Sequence, residues 1–179
     1  MELRFTHKEL KRGKETESIS LHSRGPISRF NRIGGRSLYI RQFSDIRYED
    51  SRRREWDVRP EILLHRGKSG RIERATIVFG GKIYHYEIEP ADVRGNGYRV
   101  FLALEEAARG NMKPLEKLAG EWRGETRILL KDKGGRGTIE MRIHAADIED
   151  MIERFTRLKL GIERQSTLDE FGIRTRKKG

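Results

Sequence analysis

The sequence contains no cysteine, which excludes disulfide bonds, thiolate zinc sites, iron–sulfur clusters and a cysteine nucleophile. It also lacks an apolar run near the roughly 20 residues that span a bilayer, and its first residues lack the apolar segment of a signal peptide. Asparagine and glutamine together number five, whereas charged residues make up 37% of the chain. This bias is typical of heat-stable proteins. We therefore expect a cytoplasmic protein of a thermophile, nucleoid-associated if prokaryotic, with no membrane partner.

The basic excess of the chain is concentrated in its N-terminal part. The net charge is +11, and residues 1–74 contain 19 Lys/Arg against 11 Asp/Glu. Residues 75–164 are nearly balanced, with 16 against 15. A general adaptation of the surface to heat would distribute the excess evenly, so this asymmetry indicates a polyanionic partner, with nucleic acid favoured over an anionic membrane.

Gly-Gly turns divide the chain into β-hairpins. Three segments, 27–46, 72–93 and 126–148, each read as strand, Gly-Gly, basic residue, alternating strand and then Asp. Glycines supply the positive φ that a tight hairpin turn requires. A fourth hairpin is predicted over 61–79 around Gly67-Lys-Ser-Gly70. The recurrence is compatible with an internal repeat or with ordinary antiparallel composition, and residues 5–18 and 47–57 are too polar to assign.

Apolar residues at helical spacing predict two main helices. The first covers Val100–Arg109 and closes at Gly110; the second covers Ile148–Leu158, with Asp147 as its N-cap. Pro114–Ala119 adds a helical turn between them. The predicted fold class is α+β: an antiparallel sheet of β-hairpins with two main helices and a flexible C-terminal peptide. The strand-plus-helix order of Gly137–Phe155 is similar to the closing unit of Whirly and PUR-type single-strand-binding domains, which implies an open sheet that binds unpaired DNA.

Arginines and aromatic residues alternate between residues 36 and 59. Guanidinium groups bind phosphate bidentately, and aromatic rings on an open sheet stack unpaired bases. Period two along a strand places Tyr39, Arg41 and Phe43 on one face, although the aromatic rings would instead be core if that face is buried. The predicted nucleic-acid-binding residues are Arg36, Tyr39, Arg41, Phe43, Arg47, Tyr48, Arg52, Arg53, Arg54, Trp56 and Arg59.

No motif in the sequence indicates catalysis. The five histidines have no metal-ligand spacing, so we predict no metal ligand, no catalytic residue and no cofactor. The alternative is a metal-dependent, structure-specific nuclease whose carboxylates are among Asp45, Glu49, Asp50, Glu55 and Asp57. Those acids are equally explained as partners of the arginines. A second alternative is an RNA- or ribosome-binding protein, because an arginine-rich sheet also suits RNA.

The last residues of the chain carry a short-motif pattern. Gln165, Leu168 and Phe171 are followed by the basic end Arg174–Gly179. The pattern resembles the PIP box, the peptide by which replication and repair proteins bind the PCNA sliding clamp. In a short helical turn, residues three apart project together, so Leu168 and Phe171 would form one hydrophobic plug. Gly172 stands where the family has a second aromatic residue, which implies weaker binding unless Ile173 fills that pocket.

These observations predict two regions. Residues 1–161 form a basic α+β nucleic-acid-binding domain, and 162–179 form a flexible clamp-binding tail. The resulting hypothesis is a DNA-binding accessory protein of replication or repair, favouring single-stranded DNA and tethered to PCNA. Tethering would raise the local concentration of a modest DNA binder.

Overall fold

The computed structural model describes residues 1–43, 45–49, 59–91 and 95–159. Within these ranges the chain forms ten strands and three helices. The strands are β1 Glu2–Lys11, β2 Lys14–Arg24, β3 Ile27–Ile33, β4 Ser37–Gln42, β5 Asp45–Glu49, β6 Glu61–Arg66, β7 Ile72–Phe79, β8 Lys82–Ala91, β9 Glu125–Asp132 and β10 Gly137–His144. The helices are α1 Gly95–Ala108, α2 Lys113–Glu121 and α3 Ala145–Lys159.

All ten strands belong to one antiparallel sheet with the order β3-β4-β6-β7-β8-β9-β10-β1-β2-β5. The four predicted hairpins are confirmed as β3–β4, β6–β7, β7–β8 and β9–β10. The Gly80-Gly81 turn of β7–β8 has φ of 52° and 78°, the region that glycine adopts without steric cost. The structure adds β1–β2, which the sequence left unassigned, and joins β1 to the last strand, β10.

The sheet is strongly curled. Two strands, β9 and β10, separate β8 from β1 in the sheet order, yet the ring centroids of Phe5 on β1 and Tyr84 on β8 are 5.6 Å apart. At the opposite end, Gln42 of β4 donates from its amide to the carbonyl oxygen of Met1, at 2.5 Å. Curling therefore encloses one face of the sheet.

The enclosed face and the helices share one hydrophobic core. Buried side chains on it include Leu3, Phe5, Ile139 and Met141, and they cluster with Phe101 and Leu104 of α1 and Ile148 and Met151 of α3. Helix α1 packs against β4, β6 and β9, and α3 packs against β3 and β10. None of the helices in the described ranges is long and apolar enough to cross a bilayer.

The helices depart from the sequence prediction in two respects. Three helices are present in the described residues where two main ones were expected, because the helical turn predicted at Pro114–Ala119 is part of the nine-residue helix α2. Asp147 is not the N-cap of α3, which begins at Ala145. Its carboxylate instead accepts the backbone N–H of His144 at 2.8 Å and contacts the Met1 ammonium group at 2.6 Å. A carboxylate at this position reaches back to the N-cap, as in a capping box.

Glu105 of α1 fixes the start of β7. Its side chain is only 6% exposed, and Oε2 accepts hydrogen bonds from the Ile72 backbone N–H at 2.7 Å and from Arg71 Nε at 2.9 Å.

Removing the carboxylate of Glu105 leaves a buried N–H without its acceptor, so we expect Glu105→Ala to lower the free energy of unfolding by about 1–3 kcal/mol. Urea denaturation measures this. The control is Glu106→Ala, whose partly exposed carboxylate pairs with Arg109 at 3.6 Å and should contribute less than about 1 kcal/mol.

Candidate nucleic-acid interface

The structure separates the predicted residues of the 36–59 segment into exposed and buried groups. Arg36, Phe43 and Arg59 are exposed, with Phe43 55% exposed. Arg41 is half-buried. Tyr39 is only 1% exposed, and its hydroxyl donates to Glu61 at 2.9 Å. The prediction that a base stacks on Tyr39 is therefore wrong for this conformation, because both faces of β4 are covered.

The remaining predicted residues are only partly within the described ranges. Arg47 and Tyr48 lie on β5, where the register pairs Arg47 with His22 of β2. Arg52, Arg53, Arg54 and Trp56 lie outside the described residues. So do Gln165, Leu168, Phe171 and Ile173 of the tail, and Asp50, Glu55 and Asp57 of the nuclease hypothesis. The pairing of β5 with β2 places residues 45–49 of the predicted segment at the edge of the sheet, next to the β1–β2 hairpin.

The N-terminal hairpin and β9–β10 form an exposed surface that we call the open face. Alternation explains it: buried residues such as Phe5, Leu21, Leu130 and Ile139 point into the core, so their neighbours point outward. The helices pack on the core side and leave these neighbours uncovered. The open face comprises Glu2, Arg4, Thr6, Ser20, His22, Arg24, Arg127, Lys131, Thr138, Glu140 and Arg142.

Acidic residues on the open face are each shared between several cations. Glu2 contacts His22 at 2.8 Å, Arg4 at 3.2 Å and Arg24 at 3.7 Å. Burial opposes ionisation of this carboxyl, but the hydrogen bonds from His22 and Arg4 outweigh it and lower the pKa of Glu2. The side chains of Arg4 and Arg24 remain 56% and 73% exposed, so they can reach a ligand.

Glu140 has the same arrangement on the neighbouring strands. Its carboxylate contacts Arg142 at 3.2 Å and Arg127 at 3.8 Å. Arg127 is 47% exposed and Arg142 44% exposed. Shared carboxylates hold the guanidinium groups in position while leaving an excess of positive charge, which suits the regularly spaced phosphates of a nucleic-acid backbone. Thr6 and Thr138, whose hydroxyl oxygens are 2.8 Å apart, add neutral donors. The alternation of Leu3, Phe5 and His7 with polar residues is the sequence pattern from which β1 could have been predicted.

The other half of the sheet carries a row of hydrogen-bonded histidines on its outer surface. Ser37 Oγ lies 2.6 Å from His65 Nδ1, His65 Nε2 lies 2.8 Å from Thr76 Oγ1, and Thr76 Oγ1 lies 2.9 Å from His85 Nδ1. The row borders a groove of about 550 Å³. A Ser–His pair resembles a nucleophile and its base, but here the second ring nitrogen faces Thr76 and not an orienting carboxylate. The row therefore lacks the third member of a triad.

We expect the histidine row to make folding pH-dependent. Burial, with smaller effects from Arg74 and His85, lowers the pKa of His65 below its ordinary 6.5. The folded state then binds a proton less readily than the unfolded state. The contribution of His65 to stability is complete above pH 6.5 and is lost as the pH falls toward the lowered pKa. A proton NMR titration of the ring should give a midpoint below 6.5, and His65→Gln should reduce the slope of stability against pH; an ordinary midpoint would contradict this.

Comparisons of the chain with models of protein families, with curated proteins and with solved structures returned no match. The features of this chain that bear on its function are therefore the open face, the charge distribution and the tail motif.

Proposed function

We propose that the protein is a nucleic-acid-binding accessory factor of DNA replication or repair, which grips the phosphate backbone with its open face and binds the PCNA clamp with its tail. The observation that carries the proposal is the set of cations on four adjacent strands, Arg4, Arg24, Arg127, Lys131 and Arg142, on the face that the helices leave uncovered. A ligand that tracks across adjacent strands with regularly spaced negative charge meets these cations together.

Two further features support a nucleic acid over another polyanion. Part of the basic excess of residues 1–74 belongs to β1 and β2, because residues 1–24 contain six Lys/Arg against four Asp/Glu. Phe43 is exposed, and its backbone N–H donates to the carbonyl oxygen of Pro26 just after β2, so it supplies an aromatic ring near this face. Base–aromatic stacking contributes about 1–3 kcal/mol per base. We therefore propose that single-stranded DNA is preferred, with phosphates on the open face and bases toward the β5 edge.

The tail gives the proposal its cellular context. Gln165, Leu168 and Phe171 match the PIP-box spacing, and the basic residues that follow suit a clamp that encircles DNA. A weak peptide joined to a modest DNA binder gives a stronger combined interaction, because the second binding event becomes intramolecular.

The direct test is fluorescence anisotropy with labelled single-stranded DNA, duplex DNA and single-stranded RNA of the same sequence, repeated over a range of salt concentrations. We expect single-stranded DNA to bind most tightly, with a negative slope of log K against log salt. RNA binding above DNA binding would instead favour the ribosomal or RNA alternative. A gel of the same DNA after incubation with Mg²⁺ or Mn²⁺ shows whether it is cleaved. No binding at low salt would overturn the proposal.

A further inference from the structure

The β1–β2 hairpin brings one histidine and two carboxylates together at its outer end. His7 and Glu9 are two apart on β1 and therefore share a face, and the register places Glu17 of β2 directly opposite Glu9. One potential ligand atom from each residue lies within 4.8 Å of the others. The sequence predicted no metal ligand, because its histidines have no metal-ligand spacing. This cluster depends instead on strand periodicity and on the register of the hairpin.

His7 is directed into this cluster from the core. It is 2% exposed, and its Nδ1 is hydrogen-bonded to the hydroxyl of Tyr86. Among the described residues, its Nε2 has no hydrogen-bond partner, although it lies 3.2 Å from Glu9 Oε1 and 3.9 Å from Glu17 Oε2. Buried polar atoms are almost always satisfied in native proteins. An imidazole whose Nδ1 is occupied and whose Nε2 faces two carboxylates has the arrangement of a metal-ligating histidine.

The carboxylates also have the supporting contacts of ligands. The hydroxyl of Tyr84 donates to Glu17 Oε1, which leaves Oε2 toward His7. Glu9 and Glu17 are 44% and 31% exposed, so solvent reaches the cluster from outside. No Lys or Arg of the described residues forms an ion pair with either glutamate. Like charges directly opposite each other on paired strands are destabilising, and a bound dication would remove that repulsion.

We propose that His7 Nε2, Glu9 and Glu17 form a binding site for a divalent transition metal such as Zn²⁺ or Mn²⁺. Bonds of about 2.0–2.2 Å to nitrogen and oxygen place neighbouring ligand atoms about 3–3.5 Å apart, close to the distances of 3.2 and 3.9 Å found here. The imidazole favours these metals over Mg²⁺ and Ca²⁺, which take oxygen ligands. Three protein ligands leave at least one position for water. Tyr84 and Tyr86 are positioning residues of this site.

The test uses full-length protein without an affinity tag, stripped of metal, in titrations with Co²⁺ and then Zn²⁺. The parent should bind one Co²⁺ per chain with visible absorption of a nitrogen-ligated, low-coordinate centre, and Zn²⁺ should displace it. Glu9→Gln and Glu17→Gln should each weaken binding at least about tenfold, as should Tyr84→Phe, which removes the donor to Glu17. Glu15→Gln, an exposed acid on the same hairpin, is the matched control and should leave binding unchanged.

Thermal melts separate a metal ligand from a purely structural carboxylate. Without metal, Glu17→Gln should melt no lower than the parent, because the substitution removes a repulsive pair and retains an acceptor for Tyr84. With Zn²⁺, only the parent and Glu15→Gln should gain stability. Absence of a stoichiometric site in the parent, or equal binding by the parent and the Glu9 and Glu17 variants, would overturn the proposal. This outcome is independent of nucleic-acid binding, since His7 points away from the open face.

Discussion

Replacing Arg4, Arg24 and Arg127 together by alanine should lower the affinity for single-stranded DNA about a hundredfold at 0.1 M salt. Each phosphate neutralised on a single strand contributes about −0.7 to the slope of log K against log salt. Three lost contacts flatten that slope by about two units. Because 0.1 M salt is one log unit below 1 M, where the electrostatic contribution is small, a slope difference of about two units corresponds to about a hundredfold in affinity at 0.1 M. Anisotropy titrations at several salt concentrations measure both quantities, which should change together.

A charge-matched control is available on the helical side of the molecule. Arg109, Lys113 and Lys117 are exposed cations at the end of α1 and on α2, and their replacement by alanine removes the same net charge. This variant should change affinity only a fewfold, because distant charges act through a screened field. Equal losses in the two variants would show that total charge, and not the open face, determines binding.

The arginine run Arg52–Arg54 provides a third variant. If the 36–59 segment shares the ligand with the open face, replacing these three arginines should also flatten the salt slope by up to about two units. Replacing Phe43 or Trp56 should weaken single-strand binding without changing the slope, because stacking releases no counterions. Tyr39→Phe should have no effect on binding, since that ring is buried.

Replacing both Leu168 and Phe171 by alanine should reduce binding of the full-length protein to PCNA at least about a hundredfold. Two hydrophobic anchors in a small peptide interface act as hot spots, each contributing about 2 kcal/mol or more. The parent affinity should be micromolar or weaker, corresponding to roughly −8 kcal/mol, because Gly172 replaces the second aromatic residue. Calorimetry with PCNA clamps from several thermophiles measures the change. Gly172→Phe should tighten binding if the register is correct.

Residues between the anchors serve as the control for the tail. Asp169 and Glu170 lie within the motif but off the proposed apolar face, so alanine at both should change affinity little. Absence of heat with the parent and several clamps would remove the PIP-box proposal. The DNA-binding variants of the open face should bind PCNA as the parent does.

Local signals in the sequence were sufficient for most elements of the fold. Glycine pairs at residues 34, 80 and 134 mark turns because few other residues accept the required φ, and the apolar stripe at Ile148, Met151 and Phe155 can serve only a helix. The β1–β2 hairpin was missed because polar residues occupy its outward positions and His7 occupies an inward one. That alternation predicts a strand only if a histidine is accepted at a buried position.

The candidate sites depend on pairings between strands, which cannot be inferred from a single sequence. The two-residue period of a strand places Tyr39 and Leu38 on opposite faces of β4, but it cannot reveal that both faces are covered. The open face combines β1 and β2 with β9 and β10, whose residues are more than 100 positions apart. The register between Glu9 and Glu17 is set by a bulge between Glu9 and Leu10, and the contact of His7 with Tyr86 follows from the curl of the sheet.

The pairing of β1 with β10 also constrains the order in which the molecule is completed during synthesis. Glu2 pairs with Arg142, so β1 leaves the ribosome well before β10 and has one unpaired edge until β10 has been synthesised. An unpaired edge that carries Leu3 and Phe5 on its apolar side is a template for association with other nascent chains. The charged and hydroxyl residues that alternate with them, Glu2, Arg4 and Thr6, disfavour such stacking. We therefore expect Arg4, which we propose contacts nucleic acid in the folded protein, to disfavour aggregation of the nascent chain as well.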